Sequence, residues 1–159
     1  MRIRLTVEYE GTNYCGWQRQ ENAESVQQVL EDALYRLIGK KTAVTGAGRT
    51  DAGVHAVAQI CHFDTESEIQ AYKYAHALNF TLPKDIRIKN AEVVADDFHS
   101  RFDAKAKWYR YSIYNHTHAS ALNRYTNTHV SYPLDDKLMS DVLSNIVGKH
   151  DFKAFSATG

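Results

Sequence analysis

The chain of 159 residues carries 19 Lys and Arg against 19 Asp and Glu, so with neutral histidines its net charge is zero. Apolar residues make up 43% and charged residues 24%, a globular balance that excludes a disordered or fibrous chain. No stretch reaches the length of a transmembrane helix, and Met1-Arg2-Ile3-Arg4 runs into alternating positions rather than the apolar core of a signal peptide.

Ile3, Leu5, Val7 and Tyr9 alternate with Arg2, Arg4, Thr6 and Glu8, which predicts a half-buried strand. Ser25-Val26-Gln27-Gln28 reads as a capping box. Behind it Val26, Val29, Leu30, Ala33, Leu34, Leu37 and Ile38 recur at helical spacing, and Gly39 is placed to end the helix in a left-handed conformation. A second strand is expected from about Thr42 and a third over Val57–Phe63. Ile69, Tyr72, Ala75 and Leu78 predict a second helix that must stop before Pro83, and residues 86–94 form the next strand.

This order, β-α-β-β-α-β, is that of a ferredoxin-like unit, an α+β fold with an antiparallel sheet and both helices on one face. The other face is then open to a ligand, as in RNA-binding modules of that build. Periodicity names the elements and leaves the strand order open. Beyond residue 98, Lys107–Tyr114 is rich in strand formers, with Tyr109, Tyr111 and Ile113 on one face and Trp108, Arg110, Ser112 and Tyr114 on the other. Trp108 is read as packing. A strand near Thr126–Tyr132 and a helix through Leu138, Met139, Val142, Leu143, Ile146 and Val147, ended by Gly148, complete the series. Residues 1–98 are therefore expected to form the ferredoxin-like subdomain, and 99–159 the start of a second, incomplete α+β unit.

Cys15 and Cys61 lie far apart and offer no C-x-x-C, which fits two reduced thiols in a cytoplasmic protein rather than a zinc site. The close pair His116-x-His118 has no nearby Asp or Cys and reads as a surface loop. Arg101, Lys105, Lys107 and Arg110 stand against one acid, Asp103, a strip that fits an RNA track or a solvated strand edge.

Chemistry concentrates in Gly46-Ala47-Gly48-Arg49-Thr50-Asp51-Ala52-Gly53-Val54-His55-Ala56. Its glycines allow sharp turns, and a loop of this kind carries a carboxylate to the surface. A dinucleotide fingerprint fails because its third glycine would fall on Asp51, and the Lys-Ser/Thr pair of a phosphate loop is missing. On spacing alone, Arg49 and Asp51 are either a functional pair or a surface ion pair.

Gly48 to Ala56 resembles the signature of the TruA family of tRNA pseudouridine synthases. Tyr9-Glu10-Gly11-Thr12-Asn13-Tyr14-Cys15-Gly16-Trp17-Gln18-Arg19-Gln20 is similar to that family's first strand and loop. Phe98-His99-Ser100-Arg101-Phe102 with Lys107-Trp108-Tyr109-Arg110-Tyr111, and then Gly148-Lys149-His150-Asp151-Phe152, resemble its later landmarks in the family's order. The resemblance implies an isomerase that converts uridine to pseudouridine in the tRNA anticodon stem-loop, just 3′ of the anticodon. It implies no metal and no organic cofactor, tRNA as partner, and a homodimer of paired ferredoxin-like halves. Asp51 takes the catalytic role, ionised at neutral pH and able to act as nucleophile or base without a metal. Attack at C6 of the base and departure of uracil assisted at the sugar both remain open. Arg49 is the candidate to fill the gap left by a flipped uridine or to bind the adjacent phosphate. Tyr109 is the candidate stacking platform, and His55 a structural or orienting residue near Asp51. Arg19, Arg101, Lys107 and Arg110 are candidate phosphate contacts.

Against the family pattern, the chain stops before the portion that completes the second half and brings an Arg against the catalytic Asp. A chain so ended is expected to show weak activity or none, and to self-associate through an unfinished sheet edge. Two other functions compete: an RNA-binding or assembly module that retains an inactive site, and a ferredoxin-like binder of a small anionic ligand.

Overall fold

Along β1 (Arg2–Tyr9), Ile3, Leu5, Val7 and Tyr9 are buried while Arg2, Arg4, Thr6 and Glu8 stay partly exposed, the period-two burial expected of a strand with one covered face. In this computed structural model, which describes residues 1–155, β1 is followed by α1 (Val26–Ile38), β2 (Thr45–Gly46), β3 (Ala56–Asp64), α2 (Ala71–Thr81) and β4 (Ile86–Val94). The sheet order is β2-β3-β1-β4, and every pair is antiparallel. The ferredoxin-like α+β unit is thereby present, and the strand order that periodicity left open is supplied by pairing.

Local signals set the helix ends. The Ser25 hydroxyl accepts the Gln28 N–H at 3.2 Å, and Gly39 closes α1 at φ 71° with its N–H on the Tyr35 carbonyl. Leu82, ahead of Pro83, turns extended and ends α2. Val26, Val29, Leu30, Ala33 and Leu34 of α1 and Tyr74 and Leu78 of α2 bury against Ile3, Leu5, Val7, Phe63, Ile86 and Ile88. Each Val, Leu, Ile or Phe among them contributes about 1.5–3 kcal/mol by leaving water.

The opposite sheet face is partly covered by the chain itself. His62, opposite Arg4 in the ladder, accepts the Ser100 N–H on Nδ1 at 3.2 Å and hydrogen-bonds the Ser100 hydroxyl at 2.9 Å. Arg2 donates to the Phe98 carbonyl at 2.7 Å and forms an ion pair with Asp64. The segment Phe98–Phe102 is thus fastened to the first sheet.

Two compact units emerge, Met1–Tyr109 and a second from Arg110 onward. The second contains β5 (Ile113–Asn115) and β6 (Thr128–Val130), paired in parallel, and α3 (Asp136–Leu143), capped by the Asp135 carboxylate on the Leu138 N–H at 2.8 Å. Leu138, Met139, Val142, Leu143 and Ile146 are all 41–60% exposed within this unit. Ser156–Gly159, the tail of the expected second unit, lies outside the described residues.

Three expectations need correction. The strand expected from Thr42 shrinks to Thr45–Gly46, because the Val44 N–H is taken by the Glu31 carboxylate at 3.1 Å instead of a ladder. The strand expected over Lys107–Tyr114 survives only from Ile113, where backbone partners begin; residues 101–111 are exposed, and Trp108, at 95% exposure, packs against nothing substantial. The third helix stops at Leu143 and tightens to a 3-10 turn over Ser144–Ile146. There the Ser144 hydroxyl and Asn145 amide bind the carbonyls of Asp141 and Val142, competing with further helix.

Candidate active site

Tyr9 is the last residue of β1, and the chain then wraps Gly11–Trp17 around the loop that joins β2 to β3. Four hydrogen bonds tie Tyr9 and this segment to that loop. The Trp17 N–H donates to the Thr50 carbonyl at 3.1 Å and the Gly53 N–H to the Tyr14 carbonyl at 3.2 Å. The Gly11 N–H donates to His55 Nδ1 at 2.9 Å, and the hydroxyls of Tyr9 and Thr50 meet at 2.8 Å. The segments are pressed together at two glycines. A Cβ on Gly11 would collide with the Val54 carbonyl oxygen, and one on Gly16, at φ 101°, with that of Thr50.

The wrapping segment is itself anchored. The Tyr14 hydroxyl donates to Asp85 at 2.6 Å, and burial together with that carboxylate raises its pKa strongly. Trp17, 2% exposed, lies beside Tyr9 with ring centroids 6.0 Å apart. Burial also raises the Tyr9 pKa, partly offset by Thr50. Asp51 therefore sits, exposed to solvent, on a loop whose neighbours on both sides are bonded to the core.

Arg49 is exposed on the same loop. Among the described residues, no ion pair joins it to Asp51 or to another acid, so the surface-pair reading of the two finds no support. Lys107, from beyond β4, reaches the loop: its amine lies 2.8 Å from where a Cβ on Gly48 would stand. Arg101 and Tyr109 are exposed, Tyr109 to 69%. Arg110 is exposed at the start of the second unit. Arg19 is engaged elsewhere, donating to Glu31 of α1 at 2.9 Å.

His55 serves as an acceptor for the Gly11 backbone. Cys61 is buried, which pushes its thiol pKa up, and Cys15 is partly exposed; both are free. Among the described residues, no three His, Cys, Asp or Glu side chains converge as a metal site requires, and no helix is long and apolar enough to cross a membrane. Sequence reasoning did not single out Tyr9 and Thr50 as part of the site. The available signal was a tyrosine ending a buried stripe, since a buried hydroxyl requires a partner.

The model of a family described as tRNA pseudouridine synthase matches residues 5–103, which include this loop, the segment that wraps it and Phe98–Phe102. The chain belongs to the tRNA pseudouridine synthase family. It is 51% identical over 158 residues to tRNA pseudouridine synthase A of Ruminiclostridium cellulolyticum, covering 99% of this chain and 64% of that protein. The corresponding proteins of Acetivibrio thermocellus and Pseudoalteromonas translucida are 48% and 46% identical, over 99% of this chain and 64% and 60% of their own lengths. The chain thus spans somewhat under two thirds of these pseudouridine synthases. Its resemblance to the TruA family extends well beyond the signature loop.

Proposed function

We propose that the chain carries the catalytic loop of a tRNA pseudouridine synthase, an isomerase acting on uridine in the anticodon stem-loop, with Asp51 as the reacting carboxylate. The observation that carries this reading is an exposed Asp held on a loop bonded to the core on both sides, inside the family match. Fixing a reacting group in this way saves the entropy of orienting it at each turnover.

In the isomerisation the C1′–N1 bond breaks, the uracil turns, and C1′ bonds to C5. The proton leaves C5 and N1 ends protonated. No atom is gained or lost. A carboxylate serves this chemistry by adding to C6 or by assisting departure of uracil at C1′. The uridine must first leave its stack, at a cost of a few kcal/mol. Arg49, unpaired with any acid among the described residues, supplies a planar cation to fill the vacated space or hold the adjacent phosphate. Tyr109 supplies an exposed ring for the flipped base, worth about 1–3 kcal/mol per stacked base. Lys107, Arg101, Arg110 and Arg19 are the phosphate contacts in this reading, Arg19 only if its pairing with Glu31 yields. The resemblance to the TruA family further supports tRNA as partner, a homodimer as working form, a cytoplasmic setting and chemistry without metal or organic cofactor.

The test is pseudouridine formation on unmodified tRNA by the 159-residue chain beside a version extended to family length. Activity in the extended version, lost in its Asp51→Ala variant, supports the reading. A second reading, an RNA-binding or assembly module, takes over if neither version turns over while both bind tRNA. Salt-insensitive tRNA binding, or none, would favour the binder of a small anion instead.

A further inference from the structure

Tyr9 stands at the end of β1, next to the loop that carries Asp51. Tyr9 is 2% exposed, and its ring faces the helical layer together with Ile3, Leu5 and Val7. Its hydroxyl nevertheless reaches out of that core to the Thr50 hydroxyl at 2.8 Å. Thr50 is the residue directly before Asp51. Its carbonyl is bound by the Trp17 N–H at 3.1 Å, and its backbone is pressed against Gly16 so closely that a Cβ there would overlap it. Side chain and carbonyl of one residue are thus gripped from two directions by a single buried cluster, Tyr9 and Trp17. The Asp51 side chain, one peptide further on, is exposed.

We infer that Tyr9 and Thr50 are a pair of positioning residues that set the direction of the Asp51 carboxylate through their hydroxyl–hydroxyl bond. This rests on Asp51 being the reacting group. Neither residue has to touch the substrate. The physical reason is that Trp17 and Gly16 restrain only the Thr50 backbone, and a hydroxyl bonded to a tyrosine fixed in the core adds a second tether that narrows the remaining rocking of the adjoining peptide. Displacing a reacting group by about an ångström can cost about a hundredfold in rate. Burial also keeps the Tyr9 phenol neutral, because desolvation disfavours its anion. The bond therefore persists across the working pH range.

The experiment compares Tyr9→Phe, Thr50→Val, Thr50→Ser and the Tyr9→Phe/Thr50→Val double variant in the family-length protein, with Asp51→Ala as the dead reference. Tyr9→Phe and Thr50→Val are each expected to lower kcat about tenfold or more with KM changed less than about twofold. The double variant should be no slower than the slower single, because both remove one bond. Thr50→Ser, which restores the hydroxyl, should recover most of the rate. In parallel, amide exchange at Asp51–Val54 should accelerate in Tyr9→Phe and stay near the parent in Thr50→Ser. A Tyr9→Phe protein that loses thermal stability yet keeps kcat within about twofold overturns the inference and leaves Asp51 in place. If the parent makes no pseudouridine, the function proposed above fails. Unchanged exchange at Asp51–Val54 in Tyr9→Phe then overturns the positioning role independently.

Discussion

Glu31 offers a sharp test of how the loop scaffold is braced. Its side chain, 13% exposed, accepts from the Arg19 guanidinium at 2.9 Å, the Gln27 amide at 3.1 Å and the Val44 N–H at 3.1 Å. Val44 is 2% exposed, so Glu31→Ala leaves a buried backbone donor without its acceptor, at about 1–3 kcal/mol. Gln27 keeps the Val44 carbonyl at 2.9 Å and is not stranded. The ion pair adds little, because the Arg19 side chain is 52% exposed and such pairs contribute about 0–1 kcal/mol once screened. Glu31→Ala should therefore cost about 2–3 kcal/mol, and Arg19→Ala under about 1 kcal/mol. With a urea slope of about 1–3 kcal/mol per molar, the midpoint should fall by roughly 1–2 M in the first variant and by a few tenths in the second. Trp17 fluorescence reports the transition, since Trp17 is buried in the first unit while Trp108 is exposed. Equal shifts, or a larger one in Arg19→Ala, would refute the assignment of Glu31 as the brace. If Arg19 leaves Glu31 for a tRNA phosphate, Arg19→Ala will also weaken tRNA binding and flatten its salt dependence by about one unit of slope.

Asp51→Ala is expected to abolish isomerisation in the family-length protein while tRNA affinity stays within a few-fold, as measured by filter binding; residual turnover would remove Asp51 from its role. Ser25→Ala should cost about 1 kcal/mol in urea unfolding through loss of the α1 cap. The His62 pKa is depressed below the ordinary value of about 6.5, by burial first and then by the neighbouring Arg2 and His99, against an opposing pull from Asp64. As pH falls below about 6.5, the unfolded chain takes up this proton before the folded one. The His62 contribution is thus fully present above that pH and declines below it. Urea midpoints between pH 5 and 8 should show a shallower acid loss in His62→Gln than in the parent, with pH dependence unchanged if the assignment is mistaken. Trp108→Ala, at a 95% exposed position, should leave the unfolding free energy within about 0.5 kcal/mol of the parent.

The sequence by itself determined the parts that depend on neighbours in the chain. The alternation of Ile3, Leu5, Val7 and Tyr9, the Ser25 cap, the Gly39 stop and the break before Pro83 all correspond to observed elements, because period and capping are local physics. Family membership was legible too, since the residues around Asp51 and Tyr9 resemble a family by their identity and order. Other features needed the tertiary structure. A run such as Lys107–Tyr114 has strand-forming side chains, but a strand exists only where another backbone accepts its hydrogen bonds, and for most of that run none does. The order β2-β3-β1-β4 places Tyr9 beside the loop before β3, and no period in the sequence encodes that adjacency. The site is held by Tyr9 on Thr50, Trp17 on the Thr50 carbonyl, Gly11 on His55 and Tyr14 on Asp85, contacts that join residues 33 to 71 positions apart. Chain order names the candidate carboxylate; the packing of distant segments fixes the loop that carries it, because those bonds close only in the folded chain.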